Sequence, residues 1–392
     1  MNNNNSHIPA GYKLSPLGPI PEDWEVKRLG EICTHFKSGI TITSKEISDD
    51  GLYPVYGGNG LRGYANTYTH NGNFILIGRQ GALCGNINYV EGKNYISEHA
   101  IAVQTDENIQ WLKYKLVSWN LNRFSESSAQ PGLSVEKLVR YKLSVPTRSE
   151  QIKIADILSL WDTAIEKQTA LIEKLTLRKR GLMQELLTGK KRLKGFSGEW
   201  KNCTYSYILS EVKRTLIWDE DELYKLISVR RRSEGLFFRE SLYGREIATK
   251  NLRPAKTGDF LISKMQIVHG ASGLVTEEFD DAKISGSYIA LVSKDSDVLD
   301  IEYFNLWSQT PVFYHQTFVS SFGVHIEKMT FDFDTFMSFS MPLPPISEQH
   351  AIVSIIYSIN KEIELANKKL ARLQEEKKGL MQVLLTGRKR IK

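Results

Sequence analysis

The sequence predicts an α+β fold built twice. Two strand-rich globular blocks are each followed by a long helix, and the two helices pair antiparallel as a coiled coil about a pseudo-two-fold axis. Three observations predict it. Residues Ser149–Lys194 recur without a gap as Ser347–Lys392, at an offset of 198 positions and with 20 of 46 residues identical. Each copy carries an apolar row of 3.5-residue period, which is a coiled-coil seam. About 150 residues precede each copy, and they share landmarks. The predicted boundaries are therefore a first block at 1–148, a first repeated helix at 149–194, a second block at 195–346 and a second repeated helix at 347–392.

The seam reads Ile154, Leu158, Trp161, Ile165, Gln168, Ile172, Leu175, Lys179, Leu182 and Leu186 in the first copy. In the second it reads Ile352, Ile356, Ile359, Ile363, Ala366, Leu370, Leu373, Lys377, Leu380 and Leu384. A seam this narrow needs a matching seam, and the other copy supplies one. Antiparallel pairing within the chain relates the halves by an axis that closes on itself. Lys179 and Lys377 share one seam position, either snorkelling at its edge or fixing register. Ser149 and Ser347 suit an N-cap, with Glu150 and Glu348 near the positive end of the dipole. Gly189 and Gly387 suit C′ positions, and the basic triplets after them, Lys190–Arg192 and Arg388–Arg390, suit the negative end. Gly181 and Gly379 lie inside helices at a cost of roughly 1 kcal/mol each relative to alanine, so both predict close approach by another backbone.

The blocks are less alike. Trp24 and Ile32 align with Trp200 and Ile208. Gly72–Leu76 aligns with Gly258–Ile262, and Ile96–Val103 with Ile284–Leu291. These short apolar runs, bounded by Gly, Asn and Asp, read as strands joined by turns. Helical patches follow near Gln110–Asn122 and Ile301–Tyr314. From Trp to the repeat, the second block is 22 residues longer, a difference placed in loops.

Composition is that of a soluble globular chain, with 41% hydrophobic and 24% charged residues. No apolar run is long enough for a membrane span. The polar start, Met1–Ser6, has no secretory-signal pattern and is expected to fray. Cys33, Cys84 and Cys203 are far apart and read as reduced core thiols of a cytoplasmic protein. The net charge of +6 divides as +2, +4, −5 and +5 over the four segments. Charge alone does not announce a nucleic-acid binder.

Several motifs together resemble the specificity subunit of Type I restriction–modification systems, the HsdS family. They are P-L-G-P-I-P-E-D-W at Pro16–Trp24 and G-F-S-G-E-W at Gly195–Trp200. P-T-R-S-E-Q (Pro146–Gln151) and P-P-I-S-E-Q (Pro344–Gln349) precede the helices, and G-L-M-Q-x-L-L-T-G closes each helix. Their order and double occurrence carry the resemblance over nearly the whole chain. It implies a non-catalytic DNA-binding subunit with two target-recognition domains, each reading one half of a split double-stranded DNA site. Because the blocks differ, the implied site is asymmetric. The repeated helices are implied to act as spacer and as docking surface for two modification (methyltransferase) subunits, with restriction (motor-nuclease) subunits added for cleavage. Readers on one face of a duplex need a separation near one helical turn, about 34 Å, so helix length dictates the unread interval. L-L-T-G occurs once per helix, so the rod carries no tandem lengthening.

On that reading the candidate DNA contacts are loop residues with bidentate or donor chemistry. In the first block these are Asn59, Arg62, Tyr64, Arg79, Gln80, Asn86 and Gln130. In the second they are Arg230, Arg231, Arg232, Lys250, Arg253, Lys264, Gln266 and His269. Each is also legible as a solvated loop side chain. His99 and His269 have no recognisable nucleophile or ligand partner, so they read as contact or packing residues.

No P-loop, zinc-type H-E-x-x-H or Cys/His spacing occurs. Pro344–Pro345 is followed by Ile346 rather than by the aromatic with which amino-methyltransferases stack a flipped base. This chain is therefore expected to bind no cofactor, with S-adenosylmethionine, ATP and Mg2+ on partner subunits. Two alternatives stay open: the specificity subunit of a Type II bipartite-site system, and a coiled-coil scaffold that does not bind DNA. A scaffold would use its seam to dimerise; an intramolecular seam predicts a monomer.

Overall fold

The structure is a computed structural model of the full chain, and it describes residues 8–125, 131–326 and 329–391. Met1–Ser6 and Gln130 lie outside these residues. The chain divides into two units. The first is the chain up to Ala170 together with the segment from Lys368 onward, and the second is Leu171–Asn367.

The first unit opens with the hairpin β1 (Tyr12–Ser15) and β2 (Gly18–Pro21), then β3 (Glu25–Arg28) and β4 (Cys33–Ser38). There follow β5 (Tyr53–Gly57), β6 (Gly60–Ala65), β7 (His70–Asn71), β8 (Phe74–Gly78), β9 (Ile87–Val90), β10 (Lys93–Ile96) and β11 (Ala100–Thr105). Helices α1 (Ile109–Ser118) and α2 (Val135–Leu138) precede β12 (Lys142–Val145), which pairs with β3 and leads into α3 (Arg148–Leu187). Two four-stranded sheets result, ordered β6-β5-β10-β7 and β4-β11-β8-β9. Strand β8, F-I-L-I-G, is buried at every residue, as suits a strand inside a sheet covered on both faces.

The second unit repeats the plan with β13 (Lys201–Thr204), α4 (Tyr205–Ile208), β14 (Leu209–Glu211), β15 (Leu223–Val229) and β16 (Leu236–Tyr243). Then come β17 (Leu252–Pro254), β18 (Phe260–Ser263), β19 (Ser272–Leu274), β20 (Lys283–Ser285) and β21 (Tyr288–Ser293). Helices α5 (Ile301–Trp307) and α6 (Pro311–Val319) follow, then β22 (Ser321–Phe322), β23 (Thr330–Phe331), α7 (Phe333–Ser338), β24 (Ser340–Leu343) and α8 (Ile346–Leu384). The sheets run β16-β15-β20-β17 and β14-β21-β18-β19, the orders of the first unit element for element. A parallel strand pairing recurs too, β5 with β10 and β15 with β20.

The register corrects the sequence alignment by one residue. Ile77 pairs with Ile101, and Ile262 pairs with Ile289, so Ile77 is equivalent to Ile262 rather than to Ser263. A fully buried strand has no polar–apolar alternation to fix its register, which is why the sequence misplaced it. The second helical patch is also split, because Thr310 caps a new helix whose N1 residue is Pro311.

Each unit contains the start of one long helix and the end of the other, which is antiparallel pairing. Ile154, Ala155 and Leu158 share a core with Met381, Leu384 and Leu385. Leu186 and Leu187 share another with Ile352 and Ile356. The seam residues from Ile154 to Leu186 and from Ile352 to Leu384 are all buried or half-buried, whereas Leu160, Leu177, Tyr357 and Leu365 on the same helices are exposed. Cys84 lies in the first core, Cys33 packs against it, and Cys203 packs against the second. Burial pushes the Cys33 thiol up to about 12.

The helix starts differ from expectation. They begin at Arg148 and Ile346, so Ser149 and Ser347 sit inside the first turn instead of capping it. The helix ends are as read. Gly189 and Gly387 adopt φ of +70° and +73°, and the Lys191 and Lys389 amides donate back to the Glu185 and Val383 carbonyls at 3.3 and 3.1 Å. Among the described residues nothing comes within 4 Å of a Cβ placed on Gly181 or Gly379, so none of their backbone approaches these glycines. The two kinds of glycine should respond oppositely to alanine. Gly379→Ala is expected to stabilise by up to about 1 kcal/mol. Gly387→Ala is expected to destabilise by at least about 1 kcal/mol, through its left-handed backbone and a Cβ 2.6 Å from Pro21 Cδ. Thermal melting of both variants checks the pair.

Candidate nucleic-acid interface

In each unit a joint ties the long helices to the start of the globular block. In the first unit Trp24 Nε1 donates to Glu150 at 2.8 Å, and Arg390 grips the same carboxylate through Nε and Nη2, both at 2.9 Å. In the second, Trp200 Nε1 donates to Glu348 at 3.0 Å, and Arg192 grips it at 2.7 and 2.6 Å. The two carboxylates are 3% and 1% exposed, so each depends on its fork of donors. Arg390 also holds Asp23, whose carboxyl is lowered by that hydrogen bond. The last arginine of each basic triplet thus binds the first turn of the opposite helix, and the helix-end glycine packs on the same tryptophan.

The glutamine of S-E-Q joins helix to block. Gln151 Oε1 accepts from the Asn108 amide at 2.9 Å, at the N-cap of α1, while its amide donates to the Pro146 carbonyl. Gln349 Oε1 accepts from the Asp300 amide at 2.9 Å, at the N-cap of α5, and its amide donates to the Pro344 and Val298 carbonyls. Sequence reading gave the two motifs no such roles, because the partners are distant in the chain.

The seam lysines diverge. Lys377 pairs with Asp162 across the helices, 5.1 Å above the Tyr114 ring, and Tyr114 donates to Asp162 at 2.5 Å. It fixes a polar contact and is no snorkelling edge residue. Lys179 has Asn360 where Lys377 has Asp162, and burial lowers its pKa. Lys115, deeply buried, donates to the Leu385 carbonyl at the end of α8 at 2.6 Å; desolvation pushes its pKa down to about 8.

In the first unit three loops converge where glycines let backbones touch. A Cβ on Gly78 would lie 2.7 Å from the Gly58 and Leu83 carbonyl oxygens, and one on Gly58 2.9 Å from that of His99. This brings together Asn59 at the β5–β6 turn, Arg62 lying over Gly57, and Arg79, Gln80 and Asn86 in the loop after β8. Asn59, Arg62, Gln80 and Asn86 are exposed, and Arg79 is half-buried. Tyr64 is not part of this group: it lies towards the far end of β6, where its backbone pairs with Ser48. Asn88, which sequence reading missed, borders the same turn.

In the second unit Arg253 and Lys264 line one cleft of about 550 Å3 together with Lys213, Arg214 and Asn251. Arg253 donates to the Tyr288 carbonyl at 2.6 Å, and Arg214 is held by the buried Asp259. Lys264 stands where Arg79 stands in the first unit. Their amides donate to the equivalent carbonyls, Ser287 and His99, both at 2.9 Å. Each unit therefore presents a cation at the end of its central buried strand. Arg230 is pinned, donating to Leu236 and covering Phe237, and Arg231 donates to Gln266 at 2.6 Å. Arg232 is exposed on a left-handed backbone, its amide bonded to the His269 carbonyl. Lys250 stands apart, engaged by Glu220 and the Trp218 ring.

Such surfaces offer guanidinium, ammonium and amide donors on loops fixed to rigid sheets, the chemistry that meets phosphates and base edges. No helix of the described residues is long and apolar enough to cross a membrane.

Relatives agree with the doubled plan. The family model described as the Type I restriction modification DNA specificity domain matches twice, over residues 21–177 and 188–375. The chain is 45% identical over 143 residues to the Type I restriction enzyme EcoprrI specificity subunit of Escherichia coli, a match spanning 35% of either chain. It is 23% identical over 407 residues to the MjaVIII specificity subunit of Methanocaldococcus jannaschii, covering 95% of this chain and 94% of that one. The crystal structure of a Type I restriction–modification S subunit from M. genitalium shares the fold, with TM-score 0.61 at 14% identity over 95% of this chain and 97% of that one. With the family's domain matched over most of its length in two successive copies, this chain belongs to the Type I restriction–modification DNA specificity family.

Proposed function

We propose that this chain is the DNA-reading subunit of a Type I restriction–modification enzyme. Each unit reads one half of an asymmetric bipartite site, and the paired helices set the unread interval between the halves. The observation that carries this reading is the duplicated fold with unequal loops. Strand orders and helix joints are the same twice, while the donor-bearing loops differ: Asn59, Arg62, Gln80 and Asn86 in one unit, Arg253 and Lys264 beside Arg214 in the other. The helices also dock two modification subunits, and motor-nuclease subunits join for cleavage. S-adenosylmethionine, ATP and Mg2+ then belong to those partners. The use of the seam within the chain favours this over a scaffold that dimerises through it.

The purified chain alone is expected to transfer no methyl groups. Mixed with its modification subunit and S-adenosylmethionine, it should confer adenine methylation at one bipartite sequence. Methylation by the chain alone would sink the non-catalytic assignment. The spacer role makes a separate prediction. Inserting four residues before Leu186 adds about one helical turn, roughly 6 Å, which is about two base pairs of DNA. The methylated sequence should keep both halves and gain a longer gap. An unchanged gap would remove the ruler.

A further inference from the structure

A second cavity in the Leu171–Asn367 unit, of about 690 Å3, is distinct from the cleft at Arg253. Its charged lining is Lys179, Arg180, Lys190 and Arg232, with no carboxylate on its walls. Among the described residues none of these four cations takes part in an ion pair. Nearby Glu185 is already engaged by Lys191 at 3.6 Å. The opposite wall is the first turn of the nine-residue helix α6, with Thr310 as N-cap, so its dipole adds positive potential. Tyr314 and Ser233 hydroxyls, bonded to each other at 2.9 Å, complete the wall and leave one O–H free to donate.

The other half of the molecule shows that this charge is not forced by the repeat. There the equivalent lysine, Lys377, is neutralised by Asp162, and the second repeat has replaced that aspartate with Asn360. Lys179 is half-buried, so desolvation acts on an ammonium that no carboxylate of its surroundings compensates. Four converging cations repel one another in the free chain, and an anion that enters between them relieves that repulsion.

We propose that this cavity seats a phosphate of the DNA backbone, contacted by Lys179, Arg180, Lys190 and Arg232 without reading sequence. The proposal rests on the DNA-reading assignment and adds to it that the repeated helix itself contacts DNA. A DNA source is favoured because Arg232 continues the loop of Arg230 and Arg231, which faces solvent beside the cavity. Three of the four cations lie in the repeat, outside the residues expected to read bases.

The test uses the full chain and a labelled duplex of arbitrary sequence, titrated across a range of salt concentrations. Lys179→Gln is expected to make the slope of log K against log salt shallower, by up to about 0.9 if the whole phosphate contact is lost, and binding at 0.1 M salt relative to 1 M weaker by up to roughly eightfold. Lys179→Arg should keep the parent slope, as should Lys174→Gln, which removes an equal charge outside the cavity. Thermal melting of each variant reports whether it folds, and Arg232→Gln provides a second reading if Lys179→Gln does not. Unchanged slopes in folded Lys179→Gln and Arg232→Gln, with the parent binding normally, would overturn the proposal and leave the DNA-reading assignment standing. A parent chain with no salt-dependent duplex binding would overturn both. Parent DNA slopes combined with lost thermal stabilisation by ATP would make the cavity a nucleotide site and overturn the backbone assignment.

Discussion

Arg390→Met is expected to destabilise the first unit by about 3 kcal/mol, the lower end of the range for stranding one member of a buried ion pair. Glu150 is 3% exposed, and Arg390 supplies two of the donors to its carboxylate. Trp24 Nε1 and the Ile391 amide remain, but neither carries charge. The lower end applies because Arg390 is 23% exposed at an open cleft, so the pair is not wholly withdrawn from solvent. Methionine keeps the aliphatic volume and leaves the charge alone. Adding Glu150→Gln to Arg390→Met should recover much of the loss, since an amide is neutral and still accepts from Trp24. Urea unfolding followed by tryptophan fluorescence measures both. A loss under about 1 kcal/mol for the single variant would show that the joint is a surface contact. The joint's importance lies in what it connects: the last residues of the chain, the first turn of α3 and the start of the first block.

The same joint shows where sequence reading succeeds and where it stops. The seam was legible because its 3.5-residue period is local, and both helix ends were legible because a left-handed glycine and a basic triplet are adjacent signals. The motifs W, S-E-Q and K-R were visible too, but their purpose was not. Trp24 meets Glu150 across 126 positions and Arg390 meets it across 240, and no short-range pattern encodes such pairings. The helix starts were placed two residues late because the serines look like caps, whereas Arg148 and Ile346 already lie within the helices.

The loops were legible only as chemistry. Asn59, Arg79, Gln80 and Asn86 were chosen for their donors, and their convergence depends on backbone contact at Gly58 and Gly78 that composition does not reveal. The same choice picked out Lys250 and Arg230, which fold back onto Glu220 and Phe237. It missed Arg214, whose position is set by Asp259, 45 residues away. The equivalence of Arg79 and Lys264 needed the strand register, which a wholly apolar strand does not declare.

The central claim is that sequence choice is divided between the units while the repeated helices stay common. It is tested by exchanging residues 1–148 for the first block of another family member. The contacts that must survive are Trp24 to Glu150, the Asn108 amide to Gln151, and Tyr114 to Asp162, so the donor block needs those three groups in place. Methylome sequencing of cells carrying the hybrid and its modification subunit reads the outcome directly. The account predicts a new sequence in one half of the methylated site, with the other half and the gap between them unchanged. A hybrid that altered both halves would contradict it.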